Sequence, residues 1–183
     1  MLNHITGTIK TIKEKHIIVD INGIGLSLNI PQTTDLSLDK PVTLYTYLHW
    51  NQEQGPSLYA FKTELERMIF LLIIDCHKVG PSLGINVLAH FSSSQFLEII
   101  TAQDEKRLSQ VSGIGAKKAE QIIVELKHKV QKLLASGNVI PEAQENFVQW
   151  QNVSDVLTSL NYSKVEITNV MQHLATSAAH QNY

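Results

Sequence analysis

The first 61 residues alternate between apolar and polar positions in short runs, a pattern that predicts β-strands. The segment HIIVDINGIGLSLNI places Asn22-Gly23 between two β-rich apolar runs, which is a strong signal for a two-residue hairpin. Val42–Trp50 and Ser57–Phe61 predict two more strands. Five short strands within residues 1–61 suit a closed barrel of the oligonucleotide-binding (OB) type, in which no sheet edge stays open.

Residues 62–135 change to the periodicity of helices. Thr63 begins the sequence TELE, a capping box that opens a helix. Pro81 suits the first turn of the next helix, and Ser92 or Ser93 can cap a third. The last predicted helix places its apolar residues on one face: Ala119, Ile122, Ile123, Leu126, Val130, Leu133 and Leu134. The fold class predicted for the chain is therefore α+β and multidomain, with a barrel followed by an all-α domain.

The same short pattern occurs twice in the helical part. Residues 79–88 match residues 114–123: a β-branched residue precedes a glycine, a small residue follows four positions later, and two apolar residues close the run. The second copy lies in SGIGAKKAEQII, which is typical of a helix-hairpin-helix, a motif that grips the phosphates of DNA. Two copies in one segment predict a clamp on duplex nucleic acid.

The second copy has the chemistry of an anion site. Gly113 and Gly115 allow backbone angles that a Cβ would forbid, and Ile114 between them can plug the gap between the flanking helices. The helix that opens at Gly115 begins with N–H groups that have no partner inside the helix, and these donors favour an anion. Lys117 and Lys118 lie in the same first turn. Nothing in the motif reads base edges, so binding should not depend on base sequence.

The end of the chain predicts a linker and a small module. Residues 136–149 lack periodicity and contain Gly and Pro, whereas residues 150–183 predict two short amphipathic helices. The apolar positions of these helices are Val156, Leu157, Leu160, Val170, Met171 and Leu174. A small helical module on a flexible linker usually serves as a docking unit, although a partly disordered tail remains an alternative.

Composition narrows the class of protein. The single cysteine, Cys76, excludes a disulfide scaffold and fits a reducing, cytoplasmic compartment. The start of the chain predicts no signal peptide, and the apolar run Met68–Ile74 is too short to span a membrane. The net charge is −2 for the chain, yet residues 106–135 hold seven Lys or Arg against two Glu, a local excess of five positive charges.

No constellation for catalysis is visible. The eight His are scattered, and no metal-ligand spacing involves Cys76. A Gly-rich phosphate loop with Lys-Ser or Lys-Thr is absent from the sequence, so the chain should not hydrolyse ATP by itself. We therefore expect no catalytic residue, no metal and no cofactor, and we reject a nuclease.

Over residues 5–135 the chain resembles the bacterial RuvA family of Holliday-junction-binding proteins. The stretches that carry this resemblance are DINGIGLSLNIP, SLYAFKTELER, KVGPSLGINVL and VSGIGAKKAEQIIVELKHKV. A weaker similarity, in VSDVLTSLNYSKVE, lies within residues 150–175. The order of barrel (1–61), paired hairpin motifs (62–135), linker (136–149) and small UBA-like helical module (150–183) is also that of the family.

The resemblance implies a function in homologous recombination and DNA repair. Family members form a tetramer, or an octamer, that holds a four-way junction open and square through the minor grooves of its arms. The C-terminal module would dock the hexameric RuvB ATPase for branch migration, and the RuvC resolvase would be a further partner. The residues that would contact DNA are Lys78, Val79, Gly80, Ser82, Gly113, Ile114, Gly115, Lys117 and Lys118.

The chain also departs from the family pattern. His77-Lys78 stands where the family usually has Asn-Gly, and Ser82 and Gln121 replace a Lys and an Arg. Two adjacent acidic residues normally form a pin at the junction centre, but the corresponding loop here contains only Glu53. The third helix of the C-terminal module is also expected to be missing.

Two other classes of function stay open at this point. The hairpins could belong to an accessory subunit of a DNA-repair enzyme that binds ordinary duplex or flap DNA. They could instead pack helices in a protein scaffold that binds no DNA. A binding preference for a four-way junction over linear duplex would distinguish a junction-binding protein from the accessory subunit. Failure to bind any DNA at low salt would support the scaffold.

Overall fold

The computed structural model describes residues 2–135, beginning with a five-stranded closed barrel. The strands are β1 (His4–Lys13), β2 (His16–Ile21), β3 (Ile24–Asn29), β4 (Pro41–Asn51) and β5 (Gly55–Phe61). Neighbouring strands follow the order β1-β2-β3-β5-β4, and each pair is antiparallel except β3 and β5, which run parallel where Asn29 faces Tyr59. The predicted OB-type barrel is confirmed.

The predicted Asn22-Gly23 hairpin joins β2 to β3. Both turn residues have positive φ, 52° at Asn22 and 89° at Gly23, as a two-residue turn of type I′ requires. Asp20 accepts a hydrogen bond from the Gly23 N–H at 3.0 Å. This turn sets a register in which Ile17 and Val19 of β2 point into the barrel with no exposed surface.

Five helices follow the barrel in the described residues, and their caps agree with the sequence pattern. Thr63 accepts a hydrogen bond from the Glu66 N–H, Ser92 forms a capping box with Gln95, and Pro81 is the first residue of its helix. The helices are α1 (Glu64–Ile74), α2 (Pro81–His90), α3 (Ser93–Ala102), α4 (Glu105–Leu108) and α5 (Ala116–Ala135). The predicted all-α composition of this part is confirmed.

A cluster of aromatic rings fixes the helices against the barrel. Phe70 of α1 is fully buried, and its ring centroid lies 4.8 Å from that of Phe61, 5.4 Å from Tyr59 and 5.7 Å from Tyr47. These tilted ring pairs contribute packing beyond their buried area. Barrel and helices through Lys132 accordingly form one compact unit.

The predicted linker, the two helices of the small module and its six candidate docking residues lie outside the described residues. Within residues 2–135, no helix has the length and apolar character that crossing a membrane requires.

We predict that Gly84→Ala destabilises the fold, although alanine is the better helix former. A Cβ at Gly84 would lie 2.9 Å from two ring carbons of Phe70, so the substitution presses α2 away from the aromatic cluster. Overpacking costs roughly 1–3 kcal/mol, which outweighs a propensity gain of about 1 kcal/mol. Thermal unfolding followed by circular dichroism should show a lower midpoint.

Gly25→Ala is the matched control, because its Cβ would meet only Ile18, at an ordinary 3.5 Å. An unchanged midpoint for Gly84→Ala would mean that Phe70 can move aside freely.

Candidate nucleic-acid interface

The two predicted hairpin turns have the same backbone course, 35 positions apart. The Val79 N–H donates to the Cys76 carbonyl at 3.2 Å, and the Ile114 N–H donates to the Val111 carbonyl at 3.0 Å. All four of these side chains are buried. Ile114 is therefore the plug that the sequence predicted, and Val79 is its counterpart in the first copy.

Each turn contains one residue in the left-handed region, at equivalent positions. In the second turn it is Gly113, with φ of 92°, and in the first it is Lys78, with φ of 59°. The prediction that Gly113 adopts backbone angles that favour glycine is confirmed. The same expectation for Gly115 is wrong, because Gly115 is not among the described residues with positive φ and its Cβ would meet nothing within 4 Å.

The N-terminus of α5 presents free backbone donors at the surface. The first bonds of the helix run from the N–H groups of Lys118 and Ala119 to the Gly115 carbonyl, at 3.0 and 2.9 Å. The N–H groups of Ala116 and Lys117 precede this ladder and have no carbonyl of the helix to bind. Gly115 itself is exposed, so an anion can reach these donors without meeting a side chain.

The N-terminus of α2 has the same form but fewer donors. Pro81 is the first helical residue and has no N–H, so Ser82 supplies the backbone donor and an exposed hydroxyl. Gly80 is exposed, and its Cβ would also meet nothing within 4 Å. The first motif therefore presents fewer backbone donors to an anion than the second.

The predicted contact residues divide into a surface set and a buried pair. The buried pair is Val79 and Ile114, which are 8% and 4% exposed and can offer a ligand only their backbone. Lys118 is half-buried and reaches back to its own turn, with Nζ 3.5 Å from the Gly113 carbonyl. The exposed set is Lys78, Gly80, Ser82, Gly113, Gly115 and Lys117.

The two motifs are also bonded to each other, a feature that the sequence pattern did not indicate. Gln121 of α5 donates from Nε2 to the His77 carbonyl at 3.3 Å and to Glu125 Oε1 at 2.8 Å. Glu125 Oε2 accepts the His77 N–H at 3.0 Å. The hydrogen bond from Gln121 is the largest cause that lowers the pKa of Glu125, and the bond from the His77 N–H adds to it. Glu125 is therefore ionised beside the first turn. The i, i+4 spacing indicates that Gln121 and Glu125 pair within α5, but not that either of them reaches His77.

Comparison with known proteins gives this geometry a family. Residues 1–60 match the family model described as RuvA N terminal domain, and residues 70–128 match the SAM-like Helix-hairpin-helix tandem. The chain is 33% identical over 177 residues to the Holliday junction branch migration complex subunit RuvA of Pelobacter propionicus, covering 95% of this chain and 89% of that protein. The chain belongs to the RuvA family.

Other RuvA proteins match over similar lengths. The chain is 31% identical over 172 residues to the subunit from Salinibacter ruber, which covers 91% of this chain and 85% of that protein. It is also 31% identical over 189 residues to the subunit from Pseudomonas entomophila, and the match covers 97% of this chain and 91% of that protein. The resemblance drawn from the sequence is confirmed.

Part of the basic charge of this RuvA-family chain is already engaged within the protein. Lys127 donates to Gln103 Oε1 at 3.0 Å, and Lys129 pairs with Asp75. The hydrogen bond that Lys129 donates to the Asp75 carboxylate raises the pKa of Lys129. The local positive excess in the sequence therefore overstates what α5 offers to phosphates, and Lys117 and Lys118 at its first turn gain importance.

The loop between β4 and β5 contains Glu53, the residue that the sequence comparison suggested as an acidic pin. Asn51 Oδ1 accepts the N–H groups of Glu53 and Gln54, at 2.8 and 3.0 Å, which fixes the loop as a tight turn. Glu53 is exposed at its tip. Trp50, near the end of β4 and three positions before Glu53 in the chain, is 68% exposed.

Within residues 2–135 we find neither a metal-binding cluster nor a reactive thiol. Within residues 2–135 no group of three or more His, Cys, Asp or Glu is placed to hold a metal ion. Burial raises the pKa of the Cys76 thiol to about 12, so it stays protonated and is a poor nucleophile at neutral pH.

We predict that Lys78→Gly stabilises the fold, because a left-handed conformation costs a residue with a Cβ about 1 kcal/mol or more. The unfolding midpoint should rise, while binding to DNA should weaken through the lost ammonium group. Thermal unfolding and a DNA-binding titration on the same preparation measure the two effects.

His77→Gly is the matched control, since the described residues with positive φ do not include His77 and glycine there only adds freedom to the unfolded chain. It should lower the midpoint. A fall for Lys78→Gly as well would show that the Lys78 side chain stabilises the turn by more than its backbone strain costs.

Proposed function

We propose that the chain binds four-way DNA junctions independently of base sequence and serves as the DNA-binding subunit of a branch migration complex. The observation that carries this proposal is the pair of matching turns, each ending in an exposed helix N-terminus, within one compact unit of a RuvA-family chain. Its role would lie in homologous recombination and DNA repair in the cytoplasm.

Phosphate binding at both turns follows from elementary electrostatics. Free N–H groups at Ala116, Lys117 and Ser82 point along the helix axes, where the dipole favours negative charge. Lysine at the first turn of a helix is unfavourable without an anion, and a bound phosphate reverses that penalty. All these contacts address the backbone of the nucleic acid, which positions the duplex without reading its sequence.

Assembly belongs to the same proposal. The relatives are named subunits of a branch migration complex, and a RuvB-type hexameric ATPase would supply the motor, with RuvC as a further partner. The barrel exposes large apolar side chains, among them Leu48 and Trp50 of β4. These side chains are a candidate contact surface between copies, which a homotetramer or octamer would cover. The candidate docking residues for the motor are Val156, Leu157, Leu160, Val170, Met171 and Leu174.

The chain would act without catalysing a reaction by itself. Movement of the junction would come from ATP hydrolysis in the motor, and the DNA-binding subunit would hold the arms in a geometry that permits movement. Glu53 would stand at the crossover, where its charge repels the central phosphates.

The lysines of the second motif provide the first test. Replacing Lys117 and Lys118 by Ala should weaken junction binding and reduce the log–log dependence of affinity on salt by about 2, because each phosphate contact on duplex DNA contributes about 0.9 to that slope. Gel-shift titrations with a synthetic four-way junction at several salt concentrations measure it.

Lys40→Ala, at an exposed position of the barrel, is the control and should leave the slope unchanged. Equal slopes for the double variant and the native chain would remove both lysines from the contact surface.

The pin provides a second test. Glu53→Gln should raise affinity for linear duplex relative to the four-way junction, because the lost charge no longer disfavours a continuous phosphate backbone at the centre. Competition between a labelled junction and its unlabelled linear arms gives the ratio directly.

Glu98→Gln removes the same charge from the exposed face of α3 and should not change the ratio. If Glu53→Gln also leaves it unchanged, Glu53 is an ordinary solvated loop residue.

A further inference from the structure

The two motifs hold each other through a reciprocal pair of side-chain amides. Gln121, on the second helix of the second motif, donates to the His77 carbonyl in the first turn at 3.3 Å. Asn86, on the second helix of the first motif, donates to the Ser112 carbonyl in the second turn at 3.5 Å. Asn86 and Gln121 are 35 positions apart, as are His77 and Ser112, so the exchange obeys the same repeat as the turns themselves.

Each amide is oriented by a charged partner. Glu125 accepts the second N–H of Gln121 at 2.8 Å and the His77 N–H at 3.0 Å. Lys15, from the turn between β1 and β2, donates to Asn86 Oδ1 at 3.0 Å. An ammonium group can only donate, so the amide oxygen of Asn86 must face Lys15 and its NH₂ group must face Ser112. We define these two contacts, Gln121 to His77 and Asn86 to Ser112, as the cross-ties.

We propose that Asn86 and Gln121 are positioning residues that fix the distance between the two anion-binding helix N-termini. This inference rests on the proposed function. Each cross-tie holds a carbonyl three positions before the glycine that opens a helix, Gly80 or Gly115. A shift of either turn would therefore carry its helix N-terminus with it, while the helices behind stay buried.

Spacing matters because two sites on one rigid body bind one duplex as a bivalent ligand. The second contact is then intramolecular, and it is lost when geometry prevents both from engaging at once. The cross-ties are long for N–H···O bonds, so neither is a major source of folding stability. Their effect is on alignment, because each one holds a turn directly beside an anion site.

The test replaces each amide by a neutral side chain of similar size. Gln121→Met and Asn86→Leu keep the charge of the surface and remove the donors. Each should weaken junction binding roughly twofold, the lower end of what one hydrogen bond contributes, because both cross-ties are long. The double variant should weaken it further and lower the salt slope by about 1 or more, because one motif disengages from its phosphate.

Gln131→Met is the matched control, since Gln131 is exposed further along α5. It should change neither affinity nor slope. Gel shifts are run well below the unfolding midpoint of every variant, which circular dichroism establishes. If the double variant does not fold, the two single variants carry the comparison.

Different results would reject different claims. Variants with lower unfolding midpoints but native affinity and slope would assign the amides a purely structural role and overturn the inference. Binding by the native chain would in that case leave the proposed function intact. If the native chain binds no DNA at low salt, the proposed function falls and the inference falls with it.

Discussion

The helical half of the molecule depends on one backbone constraint, the left-handed residue that precedes each motif's second helix. At this residue the chain reverses, so that Val79 and Ile114 enter the core while Gly80 and Gly115 remain exposed. Without that reversal the helix N-termini would not be open at the surface. Gly113 meets the constraint at little steric cost, whereas Lys78 meets it with strain.

Other interactions convert two local turns into one surface. The aromatic cluster around Phe70 fixes α1 to the barrel, and Gly84 allows α2 to approach that cluster closely. The cross-ties then connect the turns to each other. Phosphate binding thus follows from a rigid arrangement of backbone donors, to which lysines add charge. The asymmetry between the motifs has the same origin, because Pro81 removes a donor from the first.

Much of this fold could be predicted from the sequence because its signals are local. The Asn22-Gly23 turn, the caps at Thr63 and Ser92, and the repeat of 79–88 in 114–123 each depend on residues close together in the chain. The repeat also indicates where both candidate anion sites lie, because each copy contains the glycine that opens its helix.

The contacts that sequence reasoning missed are long-range. Gln121 and His77 are 44 residues apart, and Lys15 and Asn86 are 71 residues apart, so no periodicity indicates that they meet. The conformation of Gly115 could not be predicted either, because a glycine needed for open space around an anion looks the same in a sequence as one needed for a positive φ. The count of positive charges in the sequence also includes Lys127 and Lys129 of α5. Their side chains bind Gln103 and Asp75, and the sequence does not indicate these partners.

The most direct measurement is an NMR titration of ¹⁵N-labelled protein with a short duplex of arbitrary sequence. We expect the largest amide shifts at Ser82, Ala116 and Lys117, whose N–H groups precede the helical ladders, with both motifs responding together and the shifts shrinking as salt is raised. Shifts confined to one motif would contradict a two-site clamp. Shifts concentrated elsewhere, with these three amides unmoved, would show that the helix N-termini do not hold the phosphates.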